Sequence, residues 1–213
     1  MSRAAIIVAS GSSRRMGFDK LAALIDGNPI LWHSVRAFST NSSITQVVVV
    51  TPPKRFEWLS DLGEKLHRVD GGKERSDSVN AGLTALNSDI THVAIHDGAR
   101  PLVSPQNITA TFEAAQKTGA AALARRVTET LKRSSPEGVT TESVSREDLW
   151  IMETPQIFSR VLIKQAYQQV ASGDAQITDE VSALQLLGQG TTLVENTNPN
   201  PKITVQADLD ALR

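Results

Sequence analysis

The chain contains no cysteine, which excludes disulfides, thiolate metal centres and a cysteine nucleophile. It also lacks a surplus of either charge: 22 Lys and Arg face 23 Asp and Glu, for a net charge of -1. Nucleic acid is therefore not an expected partner, although a local basic pocket remains compatible with this balance. No apolar run approaches the ~18 residues of a membrane span. The first residues enter a strand-like run without a signal-peptide pattern, so no membrane partner is expected and the cytoplasm is the expected location. Four histidines lie scattered without ligand spacing, which argues against a zinc site. Three familiar signatures are missing as well: no GxSxG elbow, no GxxxxGK(S/T) loop and no GxGxxG fingerprint occur.

What the chain does have is concentrated at Ala4–Lys20, AAIIVASGSSRRMGFDK. The apolar run Ala4–Ala9 has the length and branching of a buried strand. Ser10, Gly11, Ser12 and Ser13 follow, and such a small-residue loop lets backbone N–H groups approach a phosphate closely. Arg14, Arg15 and Lys20 add fixed positive charge at the same edge. This pattern points to a polyphosphate, most naturally a nucleotide; a plain polar loop leading into a solvated helix turn is the alternative.

The length of 213 residues suits one domain spanning 1–213. Gln46–Thr51, His92–His96 and Ala120–Ala124 read as buried strands. Pro29–Phe38, Phe56–Lys65, Arg75–Leu86 and Pro105–Lys117 carry apolar residues at helical spacing, and Ser104-Pro105 marks a helix start. The alternation predicts an α/β fold, a mostly parallel sheet with helices on both faces. Residues 127–150 break the pattern. Val127–Lys132 and Val139–Val144 read as a β-hairpin arm with little core of its own, expected to pack on a partner. Helices resume at Arg160–Ala171 and Asp179–Leu187, followed by strand-like Thr192–Glu195 and Lys202–Val205 and a short closing helix.

Ligands of parallel α/β sheets sit beyond the carboxyl ends of the strands. Asp97, in the segment HDGARP, falls there and suits Mg²⁺ held together with nucleotide phosphates; capping a turn is its other reading. Asp70–Ser78, DGGKERSDS, is a glycine turn into a helix that Ser76 or Asp77 could cap, or whose glycine backbone and Ser78 could read a base edge. Thr178 reads as the cap of a further helix and as a possible anion contact. His96 reads as a packed residue rather than a general base.

Taken in order, ASGSSRRMGFDK, DGGKERSDSVNAGL, HDGARP, ETLKR, ETPQIF, ITDEVSAL and the lysine of PKITV resemble the 2-C-methyl-D-erythritol 4-phosphate cytidylyltransferases of the non-mevalonate isoprenoid pathway. The resemblance implies a Rossmann-like nucleotidyltransferase fold, Mg²⁺ dependence and a homodimer whose β-arms complete each other's sites. The implied reaction joins CTP and methylerythritol phosphate, releasing pyrophosphate. By the same resemblance, Arg15 and Lys20 stabilise charge in catalysis and Asp97 holds the metal. Ala9, Ser10, Gly11, Ser12, Ser13, Gly72 and Ser78 bind CTP. Arg100, Thr130, Arg146, Thr154, Thr178 and Lys202 hold the sugar phosphate. The chain departs from the family at Asp19 and Leu21, where proline and glutamine usually flank the lysine, at Lys73, where an acidic residue is usual, and at Arg126. Two alternatives accompany this reading. One is a ribitol 5-phosphate cytidylyltransferase, whose members resemble HDSVRP at residues 96–101; the other is a non-catalytic nucleotide-binding regulatory subunit.

Overall fold

The structure is a computed structural model that describes residues 1–12, 17–172 and 177–212. The chain opens with β1 (Ser2–Val8), whose residues Ala4 to Ile7 are fully buried. A 3-10 turn at Lys20–Ala22 leads to the small ribbon of β2 (Leu24–Ile25) and β3 (Asn28–Pro29). Next come α1 (Ile30–Ser39), β4 (Ile44–Val50) and α2 (Pro53–Phe56), then β5 (Leu66–Val69), α3 (Arg75–Thr84) and β6 (Ile90–Asp97). The middle of the chain holds α4 (Pro105–Thr118), β7 (Ala120–Arg126), β8 (Leu131–Ser134) and β9 (Thr140–Val144). It closes with β10 (Trp150–Ser159), α5 (Arg160–Ala171), α6 (Glu180–Gln185), β11 (Thr192–Glu195) and α7 (Gln206–Asp210).

Seven strands form one sheet in the order β11-β7-β10-β6-β1-β4-β5. All neighbouring pairs are parallel except those of β10, which lies antiparallel between β6 and β7. Because strand side chains alternate sides, Ala5 and Ile7 face one layer with α1 and α4, including Phe38, Ile108 and Phe112. Ala4 and Ile6 face the other, with Val79 and Leu83 of α3, Ile163 of α5 and Leu184 of α6. The expected parallel sheet with helices on both faces is therefore the observed architecture. Gly82 allows the second layer to close: a Cβ there would meet Ile6 Cγ2 at 2.6 Å. The hairpin β8–β9 is a separate two-stranded sheet whose residues are almost all exposed.

The structure corrects several expected elements. Phe56–Lys65 is not a helix: α2 ends at Phe56, a 3-10 turn covers Glu57–Leu59, and Gly63 at φ 88° turns the chain into β5, a strand too short to read from sequence. The arm's first strand begins at Leu131 rather than Val127, and Trp150 already belongs to β10. β10 itself escapes the period-2 pattern because Pro155 interrupts it; the ladder to β7 shifts register between Met152 and Gln156 and so accommodates a residue without an N–H. Lys202–Val205 is not a strand. It is an irregular segment following Pro201, pinned by Ile203 N–H donating to the Ala99 carbonyl at 2.9 Å. Asp179, not Thr178, caps α6, accepting from Ser182 N at 2.9 Å. Glu74 takes the cap position of α3, and Asp77 accepts from Glu74 N at 3.0 Å.

Candidate active site

The ladder aligns Val8 of β1 with Val50 of β4 and Asp97 of β6. The loops leaving β1 and β6 therefore emerge from the same edge of the sheet, at its carboxyl side. There they border a cleft of about 690 Å³, walled by Ala9–Ser12, by Lys20, by Gly72–Arg75, by Asp97 and by Lys202.

One wall is made of small residues held at close range. Ser10 Oγ and Ser78 Oγ are 2.9 Å apart, and Ser78 Oγ accepts from Gly72 N at 3.2 Å while lying 3.2 Å from the Glu74 carbonyl. Ser78 is only 1% exposed, so its hydroxyl fastens the glycine turn to the loop after β1. Gly71 is required for that approach, because a Cβ there would fall 2.4 Å from Ser10 Cβ. Gly11 and Ser12 are exposed along the cleft. Ser13 and Arg15 lie outside the described residues. Lys20 reaches into the cleft edge and donates to the Ile203 carbonyl at 2.6 Å. The neighbouring Asp19 gives one carboxylate oxygen to Arg55 Nε at 2.7 Å and the other to Leu21 N at 3.2 Å.

The floor is a charge cluster centred on the buried Asp97. Lys202 Nζ lies 2.8 Å from Asp97 Oδ2, Arg75 Nη2 3.3 Å from Oδ1, and Arg100 Nε 3.7 Å from Oδ2. Burial would raise the Asp97 carboxyl, but the charges of Arg75, Lys202 and Arg100 overcome it and hold the group far below the usual carboxylate range. Arg75 also forks onto Glu180, with Nη1–Oε1 at 2.6 Å and Nη2–Oε2 at 3.1 Å, and Tyr167 donates to the same carboxylate at 3.0 Å. Glu180 has no exposed surface. Burial, then Glu180, pushes the Tyr167 hydroxyl far above its ordinary range, so it remains a donor. Three cations thus gather on Asp97, and two of them, Arg75 and Lys202, face the cleft, where they can meet an anion.

Beneath Asp97 a hydrogen-bond chain fixes the end of β6. His96 Nε2 lies 3.2 Å from the Arg100 carbonyl, which can only accept, so this nitrogen carries the proton. Nδ1 then accepts from the Thr154 hydroxyl at 2.9 Å, and Thr154 Oγ1 accepts from Asp97 N at 3.1 Å. Burial pushes His96 down to about 4, which makes it a neutral packed residue, as the sequence suggested. Arg100 is nearly buried too, donating through Nη1 to the Asn200 carbonyl at 2.7 Å. Glu153 holds the same loop, accepting from Asn196 Nδ2 at 2.7 Å and Asn200 Nδ2 at 3.0 Å. That loop leads to Lys202.

The predicted residues therefore divide. Ala9, Ser10, Gly11, Ser12, Lys20, Gly72, Asp97 and Lys202 line the cleft, and Ser78, Arg100 and Thr154 lie behind its surface. Thr178 is exposed at the start of α6, 3.0 Å from Ser182 Oγ. Thr130 and Arg146 are not part of the cleft; they line a shallow concavity of about 250 Å³ on the hairpin, where Arg146 donates to the Thr128 carbonyl. Sequence reasoning missed Arg75, Glu180, Tyr167, Gln156 and Glu153 as participants. Arg75 and Glu180 stood inside quoted motifs, but nothing local shows that they pair. Gln156 joins two of those motifs, accepting from Glu180 N at 3.1 Å and donating to Asp179 at 2.9 Å.

Among the described residues no three His, Cys, Asp or Glu side chains converge as a metal cage. A single hard carboxylate at the floor of a cationic cleft nevertheless fits Mg²⁺, which usually takes one or two carboxylates and completes its shell with water and substrate phosphates. No helix among the described residues is long and apolar enough to cross a membrane.

The comparisons with known proteins agree with this geometry. The family model IspD, 2-C-methyl-D-erythritol 4-phosphate cytidylyltransferase, matches residues 3–212. The 2-C-methyl-D-erythritol 4-phosphate cytidylyltransferase of Halalkalibacterium halodurans is 38% identical, the alignment covering 98% of this chain and 94% of that protein. The crystal structure of the Francisella tularensis enzyme of the same name superposes with a TM-score of 0.86 at 28% identity, covering 99% of this chain and 98% of that one. That from Thermus thermophilus gives 0.84 at 28% identity, covering 100% and 97%. A match over nearly the whole length, added to a nucleotide-sized cationic cleft at the carboxyl edge of the sheet, makes this chain a member of the 2-C-methyl-D-erythritol 4-phosphate cytidylyltransferase family.

Proposed function

We propose that this chain transfers the cytidylyl group of CTP to 2-C-methyl-D-erythritol 4-phosphate, giving 4-diphosphocytidyl-2-C-methyl-D-erythritol and pyrophosphate. The observation that carries the reading is the cleft itself. It brings together a small-residue loop, a lysine and a carboxylate ringed by cations. A phosphate oxygen of the acceptor attacks the α-phosphorus of CTP; the new P–O bond forms as the bond to the β-phosphate oxygen breaks, and pyrophosphate leaves with that electron pair. Such chemistry needs alignment and charge neutralisation more than covalent help.

In this reading the backbone of Ser10–Ser12 meets the phosphates, while Gly72 and Ala9 border the base. Ser78 acts through Ser10 and Gly72, both of which it holds. Lys20, with Arg15, stabilises charge at the reacting phosphorus. Lys202 draws in the acceptor phosphate, with the charge of Arg100 behind it, and Thr154 fixes Asp97. Asp97 would hold Mg²⁺, which when bound neutralises phosphate charge. Thr130 and Arg146 serve the cleft of a second copy. Their hairpin supports this arrangement, since a two-stranded hairpin without a covering layer is marginal in water.

The test is pyrophosphate release with CTP, Mg²⁺ and methylerythritol 4-phosphate, with ribitol 5-phosphate run in parallel. Turnover with the first acceptor alone is expected. Turnover with ribitol 5-phosphate alone would reassign the acceptor, and CTP binding without turnover on either would favour a regulatory subunit.

A further inference from the structure

We propose that Arg55 is a positioning residue for the phosphate-binding loop, tying its two ends together through Asp19 so that Lys20 enters the cleft at a fixed place. The proposal rests on the cytidylyltransferase reading only for its kinetic consequence.

The topology brings Arg55 to the loop. β4 lies beside β1, and Pro52-Pro53 turns the chain at its end into α2, so the third residue of α2 stands next to the segment that leaves β1. The residue is 7% exposed, and a buried guanidinium must find acceptors for a rigid fork of donors. All three acceptors named for it come from the loop. Nε donates to Asp19 Oδ2 at 2.7 Å, Nη2 donates to the Gly11 carbonyl at 2.9 Å, and Nη1 donates to the Ala9 carbonyl. Ala9 and Gly11 stand at the incoming end of the loop and Asp19 at the outgoing end. One side chain therefore closes the loop, and each end loses freedom that it would otherwise keep.

Asp19 carries the tie onward to Lys20. Its second oxygen accepts from Leu21 N at 3.2 Å and caps the 3-10 turn Lys20–Ala22. The carboxylate thus sets the direction of the turn from which Lys20 projects. Ala9 is anchored independently, its N–H donating to the Val50 carbonyl at 2.9 Å, so the tie refers the lysine to the central sheet. Misplacement of a transition-state group by about 1 Å can cost on the order of 10²-fold in rate.

The experiment compares Arg55→Lys, Arg55→Met, Asp19→Asn and the double variant with the full-length wild-type protein, using kcat, KM for each substrate and hydrogen exchange of residues 17–23. Arg55→Met is expected to lower kcat by about 10-fold or more, with KM for the acceptor within roughly 2-fold because the acceptor's cations stand on other elements. Arg55→Lys recovers only part of the loss, since an ammonium cannot serve three separated acceptors at once. Adding Asp19→Asn to Arg55→Met costs little more, as residues of one unit are not additive. Exchange across residues 17–23 rises in each variant. Folded variants with faster exchange and wild-type kcat would overturn the positioning role, and unchanged exchange would overturn the tie. Should Arg55→Met fail to fold, the partly exposed Asp19→Asn decides the same two points. A wild-type protein that releases no pyrophosphate would instead overturn the cytidylyltransferase reading, while the exchange result would still decide the tie.

Discussion

The floor of the cleft and the hairpin arm both carry charged residues, yet they use them in opposite ways. Around Asp97 the carboxylates are sunk into the sheet edge: Glu180 is wholly enclosed, Arg75 bridges it to Asp97, and Thr154 and His96 brace the backbone from below. On the arm, Arg133 pairs with Glu142 at 3.1 Å in full view of solvent, and Thr130 and Arg146 are exposed. Buried charges in fixed geometry are already organised before a substrate arrives. Solvated ones on a thin hairpin gain definition only when something covers them. The first region is organised within this chain, and the second stands out from it in solvent.

The contrast breaks most visibly at Arg75. Replacing it with methionine leaves the enclosed Glu180 carboxylate with Tyr167 but without its cation, and removal of one member of such an ion pair typically costs about 3–5 kcal/mol. Urea unfolding measures it; a loss under about 1 kcal/mol would mean that the floor is no better organised than the surface. A pH titration sharpens the same point. His96 is held down to about 4 by burial, so between about 6.5 and 4 the unfolded chain binds a proton that the folded chain refuses, and stability falls as pH falls. His92, lowered by burial and then by Arg3, acts in the same direction. In EDTA, His96→Gln is expected to flatten that loss by about 3 kcal/mol, and an unaltered slope would contradict it.

Lys20→Ala is expected to lower kcat by about 10²-fold or more, as loss of one transition-state stabiliser can; a change confined to KM would reduce Lys20 to a binding group. The smallest effect belongs to the arm. Arg133→Ala is expected to change unfolding by no more than about 1 kcal/mol, since the pair it breaks is exposed, and a larger change would show that the hairpin is part of the folded core.

The two regions also differ in how legible they were. β1 and its small-residue loop announce themselves locally, an apolar run ending in Ser10-Gly11-Ser12, and Asp97 follows from its place at the end of a strand. β10 did not, because Pro155 imitates a break, and β5 did not, because four residues carry too little pattern. The pairings of Arg75 with Glu180 and of Lys202 with Asp97 join segments far apart in the chain, so no window of sequence contains them. Lys202 was found through the family resemblance alone. Asp19, a departure from the family pattern, meets Arg55 from the next crossover, a contact only the packing of α2 could reveal.

The most direct test of the account mixes subunits. Lys20→Ala damages the cleft and Arg146→Ala damages the arm, and each variant alone is expected to be strongly impaired with CTP and methylerythritol 4-phosphate. After subunit exchange, a hybrid dimer holds one cleft with an intact lysine facing an intact arm, so part of the wild-type pyrophosphate release should return. No recovery, with exchange demonstrated, would contradict a site completed by the second copy's hairpin.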